Sequence, residues 1–328
     1  MKLRPLALTA GSLLFALPAV AQTNPTFTFA KPDEVKPADP TKPAPPPPPP
    51  KVEWRAMAKG GFTMTSGNSQ TTSLVGAGNL SRKEGNNRLS IDANGAYGRS
   101  NVVTPVYDSP TPPMTIVGIG RTDIETTNNW LVKGRYDRFF TANNSGYAAA
   151  SAAADKIAGK SFYGGGQIGY SRQIYKSAMH LLVAELGYDY SHESYVQAGM
   201  TTPPSVSIHS ARLFAGETLT LSKATGIAGS VEALFNLNKE TEALNASNDT
   251  PGVDAFHDTR LNAKVGLTTT LFAKLSIGFG FTLKYDQNPA PLPIPSGLAS
   301  GVVFQPGFQP FADKLDTLTE ATLIYTFL

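Results

Sequence analysis

The chain contains no cysteine among its 328 residues. That excludes disulfide staples, thiolate metal sites, a cysteine nucleophile and a lipid-modified cysteine anchor. Histidine is almost as scarce, with only His180, His192, His209 and His257. No two of them stand four apart, and no histidine–carboxylate cluster has the spacing of metal ligands, so neither a metal nor a cofactor is expected. Charged residues make up 16% of the chain, against about 25% in ordinary soluble domains. The formal net charge of +3 gives no ground for a nucleic-acid partner. Beyond residue 22 no stretch is apolar for the roughly eighteen residues that a membrane-crossing helix needs.

The start of the chain is built for export. Lys2 and Arg4 give a positive start, residues 6–17 an apolar middle, and Ala19-Val20-Ala21 a small-residue cleavage site; residues 1–21 are expected to be a signal peptide. The rival, an anchor helix, needs a longer apolar run of about twenty residues. Residues 22–51 are a different polymer, ending in the unbroken prolines 45–50. Such a run lacks backbone donors and favours polyproline II, so it is expected to be a disordered periplasmic leader. A contact of this leader with the cell wall or a periplasmic protein is the sharper alternative.

From Val52 onward the pattern changes again. Residues 89–97 set Leu89, Ile91, Ala93 and Tyr97 against Ser90, Asp92 and Asn94; residues 275–285 set Leu275, Ile277, Phe279, Phe281 and Leu283 against Ser276, Gly278, Gly280 and Lys284. Twelve stretches alternate in this way. Their connections alternate too: short turns at 84–86, 141–146, 175–178, 222–225 and 271–274 take turns with longer excursions at 101–122, 191–207, 238–255 and 286–313. Period-two alternation over about ten residues, with tight turns on one side and long loops on the other, is the mark of a transmembrane barrel. The expectation for residues 52–328 is therefore an all-β, antiparallel, up-and-down barrel of about twelve strands in the outer membrane of a Gram-negative bacterium. Both termini would be periplasmic. The weakest segments are the alanine run 148–154 and the stretch around Glu217, which interrupts either face. The rival, a soluble sandwich, is disfavoured because the polar face is often only glycine, serine or alanine.

The register assigns residues to two faces. Arg55, Lys59, Lys133, Arg135, Arg260, Lys264 and Lys284 would point into the lumen, with Asp92, Asp137, Glu185, Asp189, Glu232, Asp316 and Glu320. Equal numbers of each sign favour cross-lumen pairing, whereas a selective pore shows one sign along its path. Trp54, Tyr97, Trp130, Tyr136, Tyr188, Tyr190 and Tyr285 would form aromatic girdles against membrane lipid and lipopolysaccharide. The last strand closes on Leu323, Tyr325 and Phe327, similar to the signal read by the barrel-assembly machinery, with Leu328 as an extra residue.

Four features in order carry a family resemblance: Trp54, Gly61-Phe62-Thr63, the turn Thr65-Ser66-Gly67-Asn68-Ser69, and Lys133-Gly134-Arg135-Tyr136-Asp137-Arg138-Phe139-Phe140-Thr141. They resemble the YdiY-like salt-induced outer-membrane proteins over about residues 52–328. The resemblance implies an outer-membrane barrel with expression tied to salt or envelope stress, and it supplies no catalytic residues.

One catalytic alternative can be framed. His192 and Ser194 stand two apart on one face of an extended segment, as in outer-membrane phospholipases, but no third group can be nominated to hold the base. The expectation is a non-enzymatic envelope barrel, with a narrow diffusion channel and an outer-membrane hydrolase as the alternatives.

Overall fold

A computed structural model describes residues 52–65, 70–108, 116–196, 203–247, 251–272, 274–292 and 309–326. The expected signal peptide, proline-rich leader, Ser-Gly-Asn-Ser turn and Phe327 lie outside the described residues. The described chain is all strand and connection: β1 (Val52–Thr65), β2 (Gln70–Glu84), β3 (Asn87–Tyr107), β4 (Ile116–Thr141), β5 (Asn144–Asp155), β6 (Lys160–Lys176) and β7 (His180–Tyr195), then β8 (Val206–Thr220), β9 (Thr225–Asn236), β10 (Glu240–Leu244), β11 (Pro251–Val253), β12 (Arg260–Phe272), β13 (Leu275–Asp286) and β14 (Leu315–Thr326). Twelve of them close into one antiparallel barrel in chain order, sealed by β1 against β14; β10 and β11 form a separate hairpin.

The sheet is legible as two faces. On β3, Arg88, Ser90, Asp92 and Asn94 are buried inside, while Leu89, Ile91 and Tyr97 are exposed outside. The same outward apolar face continues through Trp54, Phe62, Leu74, Val132, Ile168, Leu186, Leu213, Val265, Phe279 and Leu323. Leaving each such side chain in water forfeits about 1.5–3 kcal/mol. A closed barrel with an apolar outside and a polar inside is the arrangement that lipid solvates.

Both weak segments of the sequence are strands. The alanine run lies within β5, paired to β4 from Asn129↔Asp155 to Thr141↔Asn144. Glu217 lies within β8 and points outward near the short-turn end, where His180 meets it at 2.7 Å. The 101–122 excursion is largely not a loop. β3 and β4 stay paired out to Tyr107↔Ile116, whereas β2 stops at Gln70↔Asn101 and β5 at Asp155, so a two-stranded hairpin projects past the rim. The connection 141–146 is likewise tighter than expected, because β4 runs to Thr141 and β5 starts at Asn144.

One end of the barrel carries the tight turns, such as residues 85–86, where Gly85 takes φ +54°. The other end is covered by loops. The β10–β11 hairpin packs Ala243 and Val253 into an apolar cluster with Tyr195, Val206, Ile208 and Ala290. Wholly buried Asn236 anchors it: its Nδ2 donates to the Asn238 and Asp254 carbonyls (both 3.1 Å) and to Glu240 Oε1 (3.2 Å), while Asp258 N donates to its Oδ1 (2.9 Å). The β13–β14 connection reaches the β5–β6 turn, which lies nearly opposite in the strand order. There Gly159, at φ +78°, sits so close to Pro291 that an added Cβ would lie 2.4 Å from its carbonyl oxygen. The mouth at this end is bridged.

Candidate functional site

The site is the lumen, built from inward positions two residues apart on neighbouring strands. Its central feature is a chain of buried ion pairs. Arg88 of β3 donates to Asp137 Oδ2 of β4 from Nε (3.3 Å) and Nη2 (3.1 Å). Arg135, two residues earlier on β4, grips Asp137 Oδ1 (3.0 and 2.8 Å) and reaches Glu185 of β7 (3.1 and 2.7 Å). Arg212 of β8 takes the other side of Glu185 (2.8 Å) and continues to Glu232 of β9 (2.5 Å); Asn262 of β12 completes the chain at 3.4 Å. Three cations and three carboxylates alternate, so each buried charge has a partner of opposite sign. An unpaired charge there would be costly.

Tyr147 of β5 lies inside this layer. The Arg135 guanidinium stacks 4.1 Å from its ring centre, and Arg212 donates to its hydroxyl at 2.8 Å. The ring crosses β6 and β7 over two glycines: a Cβ on Gly169 would meet the Tyr147 hydroxyl at 2.7 Å and one on Gly187 at 2.5 Å. Glycine here makes room for a neighbouring side chain rather than for a turn.

A second polar layer lies toward the loop end. Lys160 of β6 pairs with Glu193 of β7 at 2.8 Å and with Asp286 of β13 at 3.7 Å. Arg260 of β12 reaches Glu193 Oε1 at 3.2 Å and Ser191 at 3.3 Å. β6 and β13 lie on nearly opposite sides of the barrel, so the Lys160–Asp286 pair crosses the lumen. Above them, burial pushes the Glu240 carboxyl up to about 7 and raises Asp258 well above the usual carboxylate range. Two hollows remain. One of about 200 Å³ lies under the loops and includes Lys133, Asp189, Lys284 and Asp316. One of about 390 Å³ lies toward the short-turn end and includes Lys59, Lys264 and Glu320.

Every charged position assigned to the lumen thus has an inward place in the register. Asp92 accepts from Asn79 at 2.6 Å, and Lys133 donates to Gln167 (3.0 Å), which donates to Asp189 (2.7 Å). Lys284 stands opposite Asp316, and Arg55 opposite Ser81 at the exposed short-turn end. The aromatic set Trp54, Tyr97, Trp130, Tyr136, Tyr188, Tyr190 and Tyr285 lies outward and exposed, as do Leu323 and Tyr325.

Sequence reasoning missed Arg88, Tyr147, Lys160, Glu193 and Arg212. Arg88 precedes the stretch read as strand, Tyr147 stands just before the alanine run, Glu193 falls in the excursion 191–207, and Lys160 has no face assigned from sequence. Arg212 shares its face with Ser210, and extending the alternation through Glu217 would have found it.

His192 and Ser194 face outward, away from these layers. Ser194 Oγ lies 3.5 Å from His192 Nε2, and His192 Nδ1 meets Ser207 Oγ at 3.1 Å. Behind the imidazole stands a hydroxyl, which lacks the charge of the carboxylate that stabilises an imidazolium in a catalytic triad.

These features define a transmembrane β-barrel whose interior is crossed by its own ion pairs and whose one mouth is bridged by loops. The chain belongs to the family described as "Protein of unknown function, DUF481", whose model matches residues 58–327. No curated protein matches it. Among solved structures it is similar to the NanC porin (TM-score 0.42, 10% identity, 84% of this chain and 100% of that one). It is also similar to the translocator domain of the autotransporter NalP from Neisseria meningitidis (TM-score 0.38, 12% identity, 85% of this chain and 89% of that one). A Pseudomonas aeruginosa FadL homologue is a third (TM-score 0.31, 12% identity, 85% and 74%).

Proposed function

We propose that this protein is a closed, non-enzymatic outer-membrane barrel that serves the envelope through its outward loops, with no standing pore. The observation that carries this reading is the Arg88–Asp137–Arg135–Glu185–Arg212–Glu232 chain, in which Asp137 and Glu185 have side chains with 0% exposure. A water-filled path wide enough for a solute would expose those groups. The alternating signs also lack the single-signed lining of a selective pore.

In this reading the short-turn end and both termini face the periplasm, and the bridged mouth faces outward among lipopolysaccharide. Insertion goes through the barrel-assembly machinery, using the last strand. The resemblance to salt-induced outer-membrane proteins supports expression under salt or envelope stress. The proline-rich leader is read as a spacer toward the cell wall or a periplasmic partner.

A narrow diffusion channel is the second reading. It is favoured by the two hollows, which are separated by side chains among the described residues. The hydrolase reading has less support, because Ser207 is the group behind His192. Planar-bilayer recording of the refolded barrel tests the proposal. Quiet baselines across salts and voltages are expected, and long-lived ion-selective steps from the unaltered protein would overturn it.

A further inference from the structure

The larger hollow is a built cavity whose walls differ from the rest of the lumen. At mid-lumen, inward positions carry the ion-pair chain and buried polar side chains such as Ser90, Asn94, Ser171 and Ser210. Here one row of the β9–β12–β13 wall is almost bare of side chain: Ala228, Gly266 and Gly280 lie abreast in register, Gly266 paired with both of the others. A Cβ on Gly266 would meet only backbone oxygens at ordinary contact distance (3.6 and 4.0 Å), so close packing does not require glycine there. What its absence of side chain leaves is space, about 390 Å³. That is the size of small-molecule pockets, about 300–1,000 Å³.

The flanking wall on β7 and β8 is apolar. Val183 and Phe214 form a buried pair with Leu181 packed against it. The Phe214 ring lies so near Gly216 that a Cβ there would stand 2.9 Å from it. Buried Ile324 of β14 lines the cavity on the other flank, next to β13. The charged groups that line the cavity from inside are Lys59, Lys264 and Glu320. Glu320 is folded against the wall, its Oε1 3.1 Å from where a Gly280 Cβ would be. Glu217 touches the cavity only from the outward face, where it is held by His180.

Apolar surface beside two lysine side chains and one carboxylate suits a ligand with an acidic head and a hydrocarbon or aromatic body. We propose that this cavity binds a small amphiphilic carboxylate, entering from the short-turn end, with Lys59 and Lys264 holding the carboxylate and Val183, Phe214 and Ile324 packing its tail. This goes beyond the closed-barrel reading, because binding is read without any current flowing.

Octanoate is the probe, titrated by calorimetry into the full barrel held in amphipol, with octan-1-ol and octylammonium as controls. Saturable one-site binding of octanoate alone is expected. Lys264→Gln and Lys59→Gln should each weaken it at least tenfold, and Ala228→Phe, which fills the hollow, should abolish it. Gel heat-modifiability establishes that each variant is folded; should Ala228→Phe fail that check, the two lysine variants decide. Equal uptake of octanoate and octan-1-ol, indifference to the lysine variants, or no saturable binding would overturn the proposal.

Discussion

Replacing Glu185 by glutamine is the sharpest perturbation of the lumen. Its carboxylate is buried and shared by two guanidinium groups, Arg135 at 2.7 Å and Arg212 at 2.8 Å. Glutamine keeps the shape and one acceptor, but it turns an alternating, neutral chain into one with an uncompensated positive charge. Breaking a buried pair by removing one partner costs about 3–5 kcal/mol. Arg135 retains Asp137 and Arg212 retains Glu232, so the lower end, about 3 kcal/mol, applies. With a urea slope near 3 kcal/mol per molar, the unfolding midpoint should fall by about 1 M. Fluorescence of Trp54 and Trp130, both outward and exposed, follows the loss of the lipid-facing wall during the titration. Asp254→Asn is the control: its pair with Lys239 is exposed at 63% and 68%, and its midpoint should stay put. If Glu185→Gln and Asp254→Asn unfold alike, the internal ion pairs are not what stabilises the barrel.

Two further outcomes follow from the same geometry. Gly187→Ala would set a Cβ 2.5 Å from the Tyr147 hydroxyl and 2.8 Å from the Ile168 carbonyl oxygen; overpacking of this kind costs about 1–3 kcal/mol, measurable in the same urea titration. The loop cap should loosen as pH rises. Burial raises Glu240 to about 7, so the cap's stability is fully present below its ordinary value near 4.5 and is lost as pH climbs through 7, by on the order of 3 kcal/mol. Asp258, also raised by burial, acts in the same direction. Amide exchange across β10 and β11 should be faster at pH 8 than at pH 5 after correction for intrinsic rates, and Glu240→Gln should flatten that difference.

The barrel was legible because its signal is local. Alternation along β3, β7 and β13 follows from a wall with lipid on one side, and the short-turn spacing follows from antiparallel pairing. What stayed hidden is non-local. Nothing near Asn101 says that β3 and β4 continue as a projecting hairpin, because that depends on where β2 and β5 stop. The parity of Arg135, Asp137 and Glu185 could be read from their strands. That Arg135 meets Glu185 across two intervening strands could not, since this depends on Gly169 and Gly187 clearing a path for Tyr147. The β10–β11 hairpin was also missed: its strands are short, and its burial comes from Tyr195, Val206 and Ile208 on other strands.

The central claim is that side-chain ion pairs close the lumen. Single-channel recording of the unaltered barrel beside the Arg135→Gln, Glu185→Gln double variant tests it most directly. The double substitution removes one charge of each sign, so the lumen keeps its net charge while the links to Asp137 and Arg212 weaken. A silent unaltered barrel and a variant showing brief, poorly selective openings are predicted. Steady conductance from the unaltered barrel, unchanged in the variant, would contradict the account.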